Sequence, residues 1–398
     1  MGAASLGNNF LVPLFELFRR RVIAVLVSAL TLGTLHARPV SDTATTCDEL
    51  CTRVRSELTS FTSWLTANNA QGYIGEVGWP STDARWNALA ERWYRDADSA
   101  GLWVTAWATG EWWGTTYPLS VYVDAVPPAG IESPRPQAQV IGIHPTSGPV
   151  WRGVNVAGGE FGAPNVDATS TFSNERPGTV DQTYHYDNDA TFRFVAAQGV
   201  KVVRIPFRWE RVQPRLGAEL DVAEVRRIKD VVARAGAAGL KVVLDLHNYG
   251  GYYVYDALRN VGVRRSVGSA EVTVANFADV WRRLSVYFKG NPGVLGYGLM
   301  NEPVAMPGGA RTWELASQAA VDRIRGNGDG STLLVGGYNW SGAQSFATNH
   351  PKKWIVDYSH RTLYEAHHYW DRDNSGDYPD SYDAEVQNAR SRGYRPSA

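Results

Sequence analysis

The feature that most constrains the fold is a regular alternation of short apolar runs and amphipathic helical stretches across residues 141–398. The apolar runs have the length and the β-branched content of buried strands, and the stretches between them carry apolar residues every three to four positions. Such strict alternation predicts βα units and a parallel sheet. It predicts six strands, at residues 152–156, 202–205, 242–246, 295–300, 333–336 and 362–366.

Residues 46–124 contain the two strands that the longer block lacks for a closed barrel of eight. Apolar runs at residues 73–74 and 102–106 flank a helical stretch with a tryptophan-rich apolar stripe. Because right-handed crossovers place consecutive units side by side, the last unit meets the first wherever the chain starts. We therefore predict an α/β fold, a (β/α)8 TIM barrel.

A segment rich in proline separates the two blocks. Residues 125–140 contain four prolines and little hydrophobic periodicity, which is typical of a linker. We expect this linker to join the N-terminal block, residues 46–124, to residues 141–398, so that residues 46–398 form one catalytic domain.

Residues 1–45 have the features of an export leader. Arginines at positions 19–21 precede an apolar run over residues 22–35, which suits the hydrophobic region of a signal peptide and is short for a membrane span. We expect a secreted, extracellular protein without stable membrane insertion. The sequence leaves open whether the leader is cleaved or tethers the chain.

The two cysteines of the chain, Cys47 and Cys51, lie four residues apart at the start of a predicted helix over residues 47–68. The apolar stripe continues through Val54 and Leu58, so the pattern favours buried free thiols on a core-facing helix. A disulfide remains the alternative, and it requires Cys47 to precede the helix, since bridging one helical turn is poor geometry.

Two glutamates follow predicted strands at the barrel end where catalytic groups collect. Glu302 lies in the sequence Asn-Glu-Pro after residues 295–300, and Glu76 lies in Gly-Glu-Val-Gly after residues 73–74. We expect the two strands to face each other across the ring, with the carboxyl groups about 5–5.5 Å apart, the spacing of retaining glycosidases. Glu302 is then the acid/base and Glu76 the nucleophile.

Other strand ends carry side chains that suit a sugar-binding site. Arg204 ends an apolar run, where its charge stabilises a neighbouring carboxylate. Side chains alternate along a strand, so His367 and Tyr369 share the face that we assign to the site, and His368 points away. The supporting residues that we predict are Arg204, His247, Asn301, His367, Tyr369 and the stacking residue Trp107.

Three further carboxylates were weighed against this pair. Glu111 and Glu160 lie in glycine-rich loops near the rim, where they could contact substrate. Glu365 is expected on the opposite face of its strand from the site. None of the three is predicted to pair with Glu302 as well as Glu76 does.

As a set, these residues resemble glycoside hydrolase family 5, the cellulase family, and in particular its fungal-type endo-β-1,4-glucanase branch. The resemblance covers nearly all of residues 47–125 and 141–385. It implies that the eight residues Arg204, His247, Asn301, Glu302, His367, Tyr369, Glu76 and Trp107 match the family's site. Further similar stretches are Arg-Gly-Val-Asn at 152–155, Gly-Glu-Phe-Gly at 159–162 and Asn-Trp-Ser-Gly-Ala at 339–343.

The order of the segments differs from that of the family. Family members place the Glu76 segment after the Glu302 segment, whereas here it comes first. The resemblance therefore implies a circularly permuted barrel, in which the family's strands 7 and 8 are N-terminal and residues 47–68 form the helix that leads into strand 7.

The resulting hypothesis is a retaining endo-β-1,4-glucanase that needs no metal or organic cofactor. We expect a monomer that binds β-glucan polysaccharide or oligosaccharide. Alternatives are a β-mannanase or another β-glycanase on the same fold, or an inactive carbohydrate-binding relative, because the fold does not determine the substrate. A net charge of −1 with both signs mixed along the chain argues against a nucleic-acid partner.

Overall fold

The structure is a computed structural model that describes residues 46–123 and 131–397. The predicted leader, residues 1–45, lies outside the described residues, and export of the chain stays a prediction. Within the part of the chain that is described, no helix is both long and apolar enough to cross a bilayer.

Eight parallel strands close into a barrel, which confirms the predicted fold. Each strand pairs with its neighbours in chain order, and β8 pairs with β1 to close the ring. The strands are β1 Gln71–Glu76, β2 Trp103–Thr109, β3 Arg152–Val156, β4 Val202–Phe207, β5 Lys241–Leu246, β6 Val294–Gly298, β7 Thr332–Gly336 and β8 Thr362–His367.

Amphipathic helices surround the barrel. Six of the helices begin at side-chain caps; Asp48, for example, accepts a hydrogen bond from the backbone N–H of Cys51 at 2.8 Å. The helices are α1 Glu49–Ala67, α2 Ala84–Ser99, α3 Pro136–Ile143, α4 Asp189–Ala197, α5 Trp209–Val212, α6 Val222–Ala237, α7 Val274–Phe288, α8 Ala310–Gly326, α9 Phe346–Asn349 and α10 Tyr382–Ser391.

The barrel interior is a packed core at one end and the site at the other. Near the amino ends of the strands, five inward side chains from β1, β4, β5, β7 and β8 form a separate apolar cluster: Tyr73, Val202, Val243, Leu334 and Leu363. This layer closes the floor, as in other barrels of this class. Polar side chains replace it toward the carboxyl ends.

Short elements extend the rim. A hairpin of Gly251–Asp256 and Val261–Ser266 follows β5 and pairs with Thr169–Ser170. In the segment after β2, Tyr122–Val123 pairs with Ser133–Pro134. The same segment contains the single 3₁₀ turn among the described residues, Glu111–Trp113.

The predicted linker contains a helix. Residues 124–130 lie outside the description, but α3 begins at Pro136, inside the segment that we expected to lack structure. Proline suits the first helical turn because its missing N–H has no intrahelical acceptor there. The helix packs against α2, so it takes the place of a barrel helix after β2.

Cys47 and Cys51 form a disulfide, with Cα atoms 5.3 Å apart, and the expectation of free thiols is wrong. The helix starts at Glu49, so Cys47 lies before it in extended backbone, which provides the geometry that a four-residue spacing needs. Cys47 also exchanges two backbone hydrogen bonds with Ser397, of 2.9 and 2.8 Å. The two ends of the described domain therefore lie side by side.

Candidate active site

A cleft of about 640 Å³ opens at the carboxyl ends of the strands. Its lining combines carboxylates, histidine and aromatic rings, as a sugar-binding cleft requires. The lining includes Glu76, Glu302, Glu160, His247, Trp107, Trp112, Trp113, Tyr117, Tyr249 and Tyr369.

The cleft brings Glu76 and Glu302 together. A carboxylate oxygen of each, with a ring nitrogen of His367, all lie within 4.8 Å of one another. Glu76 is the last residue of β1, and Glu302 follows β6 with a left-handed backbone (φ 45°). This spacing suits one carboxyl group attacking a sugar while the other protonates the leaving oxygen.

Glu76 accepts hydrogen bonds at both oxygens. Arg204 Nη1 donates to Oε1 at 3.0 Å, and the Tyr369 hydroxyl donates to Oε2 at 2.6 Å. Glu76 and Arg204 are buried, with 4% and 0% of their surface exposed. A cation and a hydroxyl donor therefore hold both oxygens of the carboxylate in place, as positioned attack on a substrate requires.

Glu302 contacts His367, whose Nδ1 lies 2.7 Å from Oε1. Burial raises the pKa of Glu302, and the Glu76 charge raises it further, while the hydrogen bond from His367 opposes both. Burial alone would lower the pKa of His367. The charge of Glu76 and the hydrogen bonds to Glu302 and Glu365 outweigh this effect and raise the pKa to about 10. The pair is therefore a protonated imidazolium beside a carboxyl group that retains its proton above the ordinary range.

Arg204 also begins a ring of polar contacts on the β5 side. Its Nη2 donates to Asn301 Oδ1 at 2.8 Å, and Asn301 Nδ2 lies 3.2 Å from His247 Nε2. His247 Nδ1 lies 2.7 Å from Asp245, which forms an ion pair with Arg204 at 3.0 Å. Burial lowers the pKa of His247 well below its usual value, so its imidazole is neutral. Nδ1 then donates to Asp245, and Nε2 accepts from Asn301.

The two adjacent histidines of β8 point to opposite faces. His367 faces the cleft, whereas His368 contacts Glu57 on α1 at 3.0 Å and accepts a hydrogen bond from Trp93 on α2 at 2.9 Å. Strand alternation accounts for the difference.

Aromatic rings form one wall of the cleft. Trp107 stacks on His247 with ring centroids 5.8 Å apart, and its Nε1 donates to the Tyr117 hydroxyl at 2.9 Å. Trp113 stacks on Tyr117 at 3.9 Å, and Trp112 stacks on His185 at 5.2 Å. Supported rings of this kind offer flat faces to pyranose rings.

Several residues of the site were not predicted from the sequence or were predicted on the wrong face of a strand. Glu365 lies on the cleft face, where its Oε1 accepts from Arg204 at 3.1 Å, so the expectation that it points away is wrong. Residues two apart on a strand share a face, and the same rule identifies Asp245 from His247. Asn155 on β3 also accepts from Arg204, at 2.9 Å.

The two rim glutamates differ from each other. Glu111 is fully buried and accepts hydrogen bonds from His185 and the start of α4, so the expectation of substrate contact is wrong for it. Glu160 does line the cleft, and burial raises its pKa to about 7.

Two clusters in the described part of the chain have the composition of a metal site: Glu76 with Glu302 and His367, and Glu111 with His185 and Asp187. A histidine ligand must be neutral and must offer a lone pair. His367 has a raised pKa of about 10. Burial opposes protonation of His185, but hydrogen bonds to Glu111 and Asp181 raise its pKa to about 9. A metal would therefore have to displace a proton at either cluster.

The family model for cellulase, glycosyl hydrolase family 5, matches residues 152–396, which is more than half of the chain. The chain belongs to this family. The family 5 match begins at β3 and leaves out β1 and β2, although both are members of the closed ring.

Curated relatives of this family 5 chain include fungal endoglucanases. The chain is 31% identical over 242 residues to the manganese dependent endoglucanase Eg5A of Phanerodontia chrysosporium, covering 59% of this chain and 57% of the relative. It is 29% identical over 234 residues to endoglucanase gh5-1 of Neurospora crassa, covering 57% and 52%. The chain thus spans little more than half the length of these relatives.

Solved family 5 structures also align with more than half of this chain. An endo-beta-1,4-glucanase from Xanthomonas axonopodis pv. citri aligns with a TM-score of 0.50 and 34% identity, over 61% of this chain and 72% of that one. XacCel5A in complex with cellopentaose aligns with a TM-score of 0.50 and 32% identity, over 61% and 74%.

Proposed function

We propose that this protein is a retaining endo-β-1,4-glucanase, with Glu76 as nucleophile and Glu302 as acid/base. The observation that carries the proposal is the approach of a Glu76 oxygen and a Glu302 oxygen within 4.8 Å. Arg204 and Tyr369 hold Glu76, and burial raises the pKa of Glu302. Membership of the cellulase family and the endoglucanase names of its relatives support the substrate class.

In the first step Glu76 attacks the anomeric carbon and forms a glycosyl ester. Glu302 transfers its proton to the departing glycosidic oxygen, so no free alkoxide forms. Arg204 and Tyr369 hold the two oxygens of Glu76, which restricts the carboxylate to the direction of attack. His367 donates to Glu302 Oε1, which leaves the proton on Oε2 for the leaving group.

In the second step water replaces the departed sugar. Glu302, now ionised, takes a proton from this water, which attacks the anomeric carbon and displaces Glu76. Two inversions give net retention. Asn301 and His247 contact each other beside this position and are assigned to sugar hydroxyls.

The aromatic groups support binding of an extended chain. Trp107, Trp112 and Trp113 line the cleft. Trp340, with 38% of its surface exposed, contacts Tyr249 of the same lining, with ring centroids 5.8 Å apart. An open cleft lined by several aromatic rings suits cleavage within a polymer rather than at its end.

The proposal is tested by a panel of carboxymethylcellulose, mixed-linkage glucan, xyloglucan and mannan, with proton NMR of the first product formed. We expect the highest kcat/KM on the β-1,4-glucans and a β-anomer before mutarotation. An α-anomer would contradict the retaining mechanism, and a preference for mannan would establish the alternative substrate. We expect activity to survive EDTA and to change little with added Mn²⁺, which one relative is named for, because the raised pKa of His367 and of His185 makes a proton compete with a metal at either cluster.

We also propose that residues 46–397 form one catalytic domain that is circularly permuted relative to the family. The family match starts at β3 and ends at residue 396, whereas β1 carries Glu76 and completes the ring. The backbone pairing of Cys47 with Ser397 supports a connection at that point in the family order.

A relinked chain tests the permutation. Residues 131–397 are joined to residues 46–123 through a turn of two to four residues, within the length of ordinary hairpin loops, and residues 124–130 are omitted. We expect a folded protein with kcat/KM within about threefold of the original, because barrels tolerate new ends in surface loops. A control chain carries the same turn between residues 397 and 46 but has its new ends between β6 and β7, and equal loss in both chains would contradict the proposal.

A further inference from the structure

Beneath the two catalytic glutamates lies a third carboxylate that the mechanism above does not use. Glu365 on β8 is 1% exposed. Its Oε1 accepts from Arg204 Nη2 at 3.1 Å and lies 3.3 Å from His367 Nε2. Its Oε2 is buried without a hydrogen-bond partner.

The neighbouring strand leaves space for this carboxylate. A Cβ atom on Gly75, the residue before Glu76, would lie 1.9 Å from Glu365 Oε1 and 3.0 Å from His367 Nε2. Any side chain at position 75 would therefore displace Glu365, so β1 provides the nucleophile at one residue and the room for Glu365 at the preceding one.

The charges of the buried groups around His367 explain why Glu365 is needed in addition to Glu76 and Glu302. Two cations, Arg204 and His367, face four carboxyl groups in contact with them: Glu76, Glu302, Asp245 and Glu365. A buried region is most stable when its charges balance, which requires two of the four carboxyl groups to be ionised. Glu76 has to be one of them if it is the nucleophile.

Glu365 fits the second position. Burial would raise the pKa of Glu365, but Arg204 and the hydrogen bond from His367 outweigh it and lower it. For Asp245, burial prevails over Arg204 and raises the pKa to about 7, and the pKa of Glu302 is also raised. The two carboxyl groups with raised pKa are thus Glu302 and Asp245, whereas the pKa of Glu365 is lowered.

We propose that Glu365 is a positioning residue for catalysis, whose carboxylate balances the imidazolium of His367 from below so that Glu302 above it keeps its proton. His367 stands between the two, with Nε2 toward Glu365 and Nδ1 toward Glu302. Without the lower carboxylate, the imidazolium has only Glu302 and Glu76 to balance it, and Glu302 is driven to ionise. This inference rests on the proposed acid role of Glu302.

The charged or titratable groups that face Glu365 come from each strand packed near it. On β8 itself the titratable group that faces Glu365 is His367. The residues of β7 include no charged or titratable side chain. The groups from the other strands are Tyr73 and Glu76 on β1, Arg204 on β4 and Asp245 on β5.

The test is Glu365→Gln, which keeps size and a hydrogen-bond acceptor but removes the charge. We expect the basic limb of the pH profile of kcat/KM on cellotetraose to move to lower pH by about one unit. This is the lower end of the shift that a charge in close contact produces, because Glu365 acts on Glu302 through His367. KM should change little. Glu365→Asp restores the charge and should return the limb toward its original position.

Glu57→Gln is the matched control. Glu57 is also a buried carboxylate bonded to a histidine, but its partner is His368, which directly follows β8 and faces outward. We expect this variant to lose thermal stability and to keep the original pH profile. An unchanged profile in Glu365→Gln, or an equal shift in Glu57→Gln, would overturn the inference.

A measurement without turnover separates this inference from the proposed function. In nitrogen-15 spectra of histidine-labelled protein, we expect His367 to keep both ring protons at pH 8 in the original chain and to titrate at least one unit lower in Glu365→Gln. Absence of that change overturns the role of Glu365 even in an inactive protein. An original chain that fails to cleave cellotetraose but shows the change contradicts only the proposed function. If Glu365→Gln does not fold, a smaller shift of the same sign in Glu365→Asp is required.

Discussion

Replacement of Glu76 by alanine should lower kcat on cellotetraose by about 10⁴-fold or more, because no other side chain can form the glycosyl ester. Glu76 is the last residue of β1 and points between Arg204 and Tyr369. The loss should be equally large on an aryl cellobioside with a good leaving group, since nucleophilic attack is required for every substrate. The measurement is steady-state kinetics on both substrates.

Azide provides the stereochemical control for this variant. With the Glu76 side chain removed, the anion can enter from the face that the carboxylate occupied, and it should yield the α-glycosyl azide. Cellotetraose binding, measured by calorimetry, should remain within about threefold of the original, since Glu76 contributes chemistry more than ground-state affinity. Appreciable activity without azide would reject Glu76 as the nucleophile.

Replacement of Glu302 by alanine should lower kcat on cellotetraose by about 10²–10⁴-fold, the usual contribution of a general acid. The decrease should be much smaller on an aryl cellobioside, because a good leaving group needs no proton. This dependence on the leaving group distinguishes the acid from the nucleophile, whose loss affects both substrates alike.

Azide should give the opposite product with this second variant. The glycosyl ester to Glu76 still forms, and azide attacks it from the other face, which yields the β-glycosyl azide. An α-azide from the Glu302 variant, or equal losses on both substrates, would contradict the assigned roles.

The original protein should lose activity as pH rises through the raised pKa of Glu302, because the acid form is then depleted. The pH profile of the first step on the aryl substrate should show a weaker basic limb.

Most of the fold follows from local patterns. The predicted strand at residues 152–156 matches β3, and the helix expected over residues 47–68 is found at Glu49–Ala67. Closure of the ring was inferred from the number of units, because a parallel barrel of this class needs eight. The helix α3 was not predicted, since prolines were interpreted as breakers and its apolar stretch is too short to show a period.

The site was less completely predictable, and the reasons are physical. Motifs at strand ends locate Glu76, Glu302 and Arg204, but the sequence does not show which acceptors a buried guanidinium serves. Arg204 contacts groups from five strands or their ends, which only the closed ring brings together. The disulfide depended on the first residue of α1, and helix ends are less well defined by sequence than helix centres.

The adjacent histidines at the end of β8, His367 and His368, bear on the register with which this strand pairs in the barrel. A slip of one residue would still present a histidine to the cleft, His368 in place of His367, so the pair alone does not fix the register. The slip would, however, exchange Glu365 and Tyr369 for Ala366 and Trp370, and Glu57 would lose its imidazole partner on the outside. The residues that encode the correct alignment of β8 are therefore the acid and the phenol on either side of His367, and a sequence that keeps both histidines but loses these neighbours should not be expected to assemble the same site.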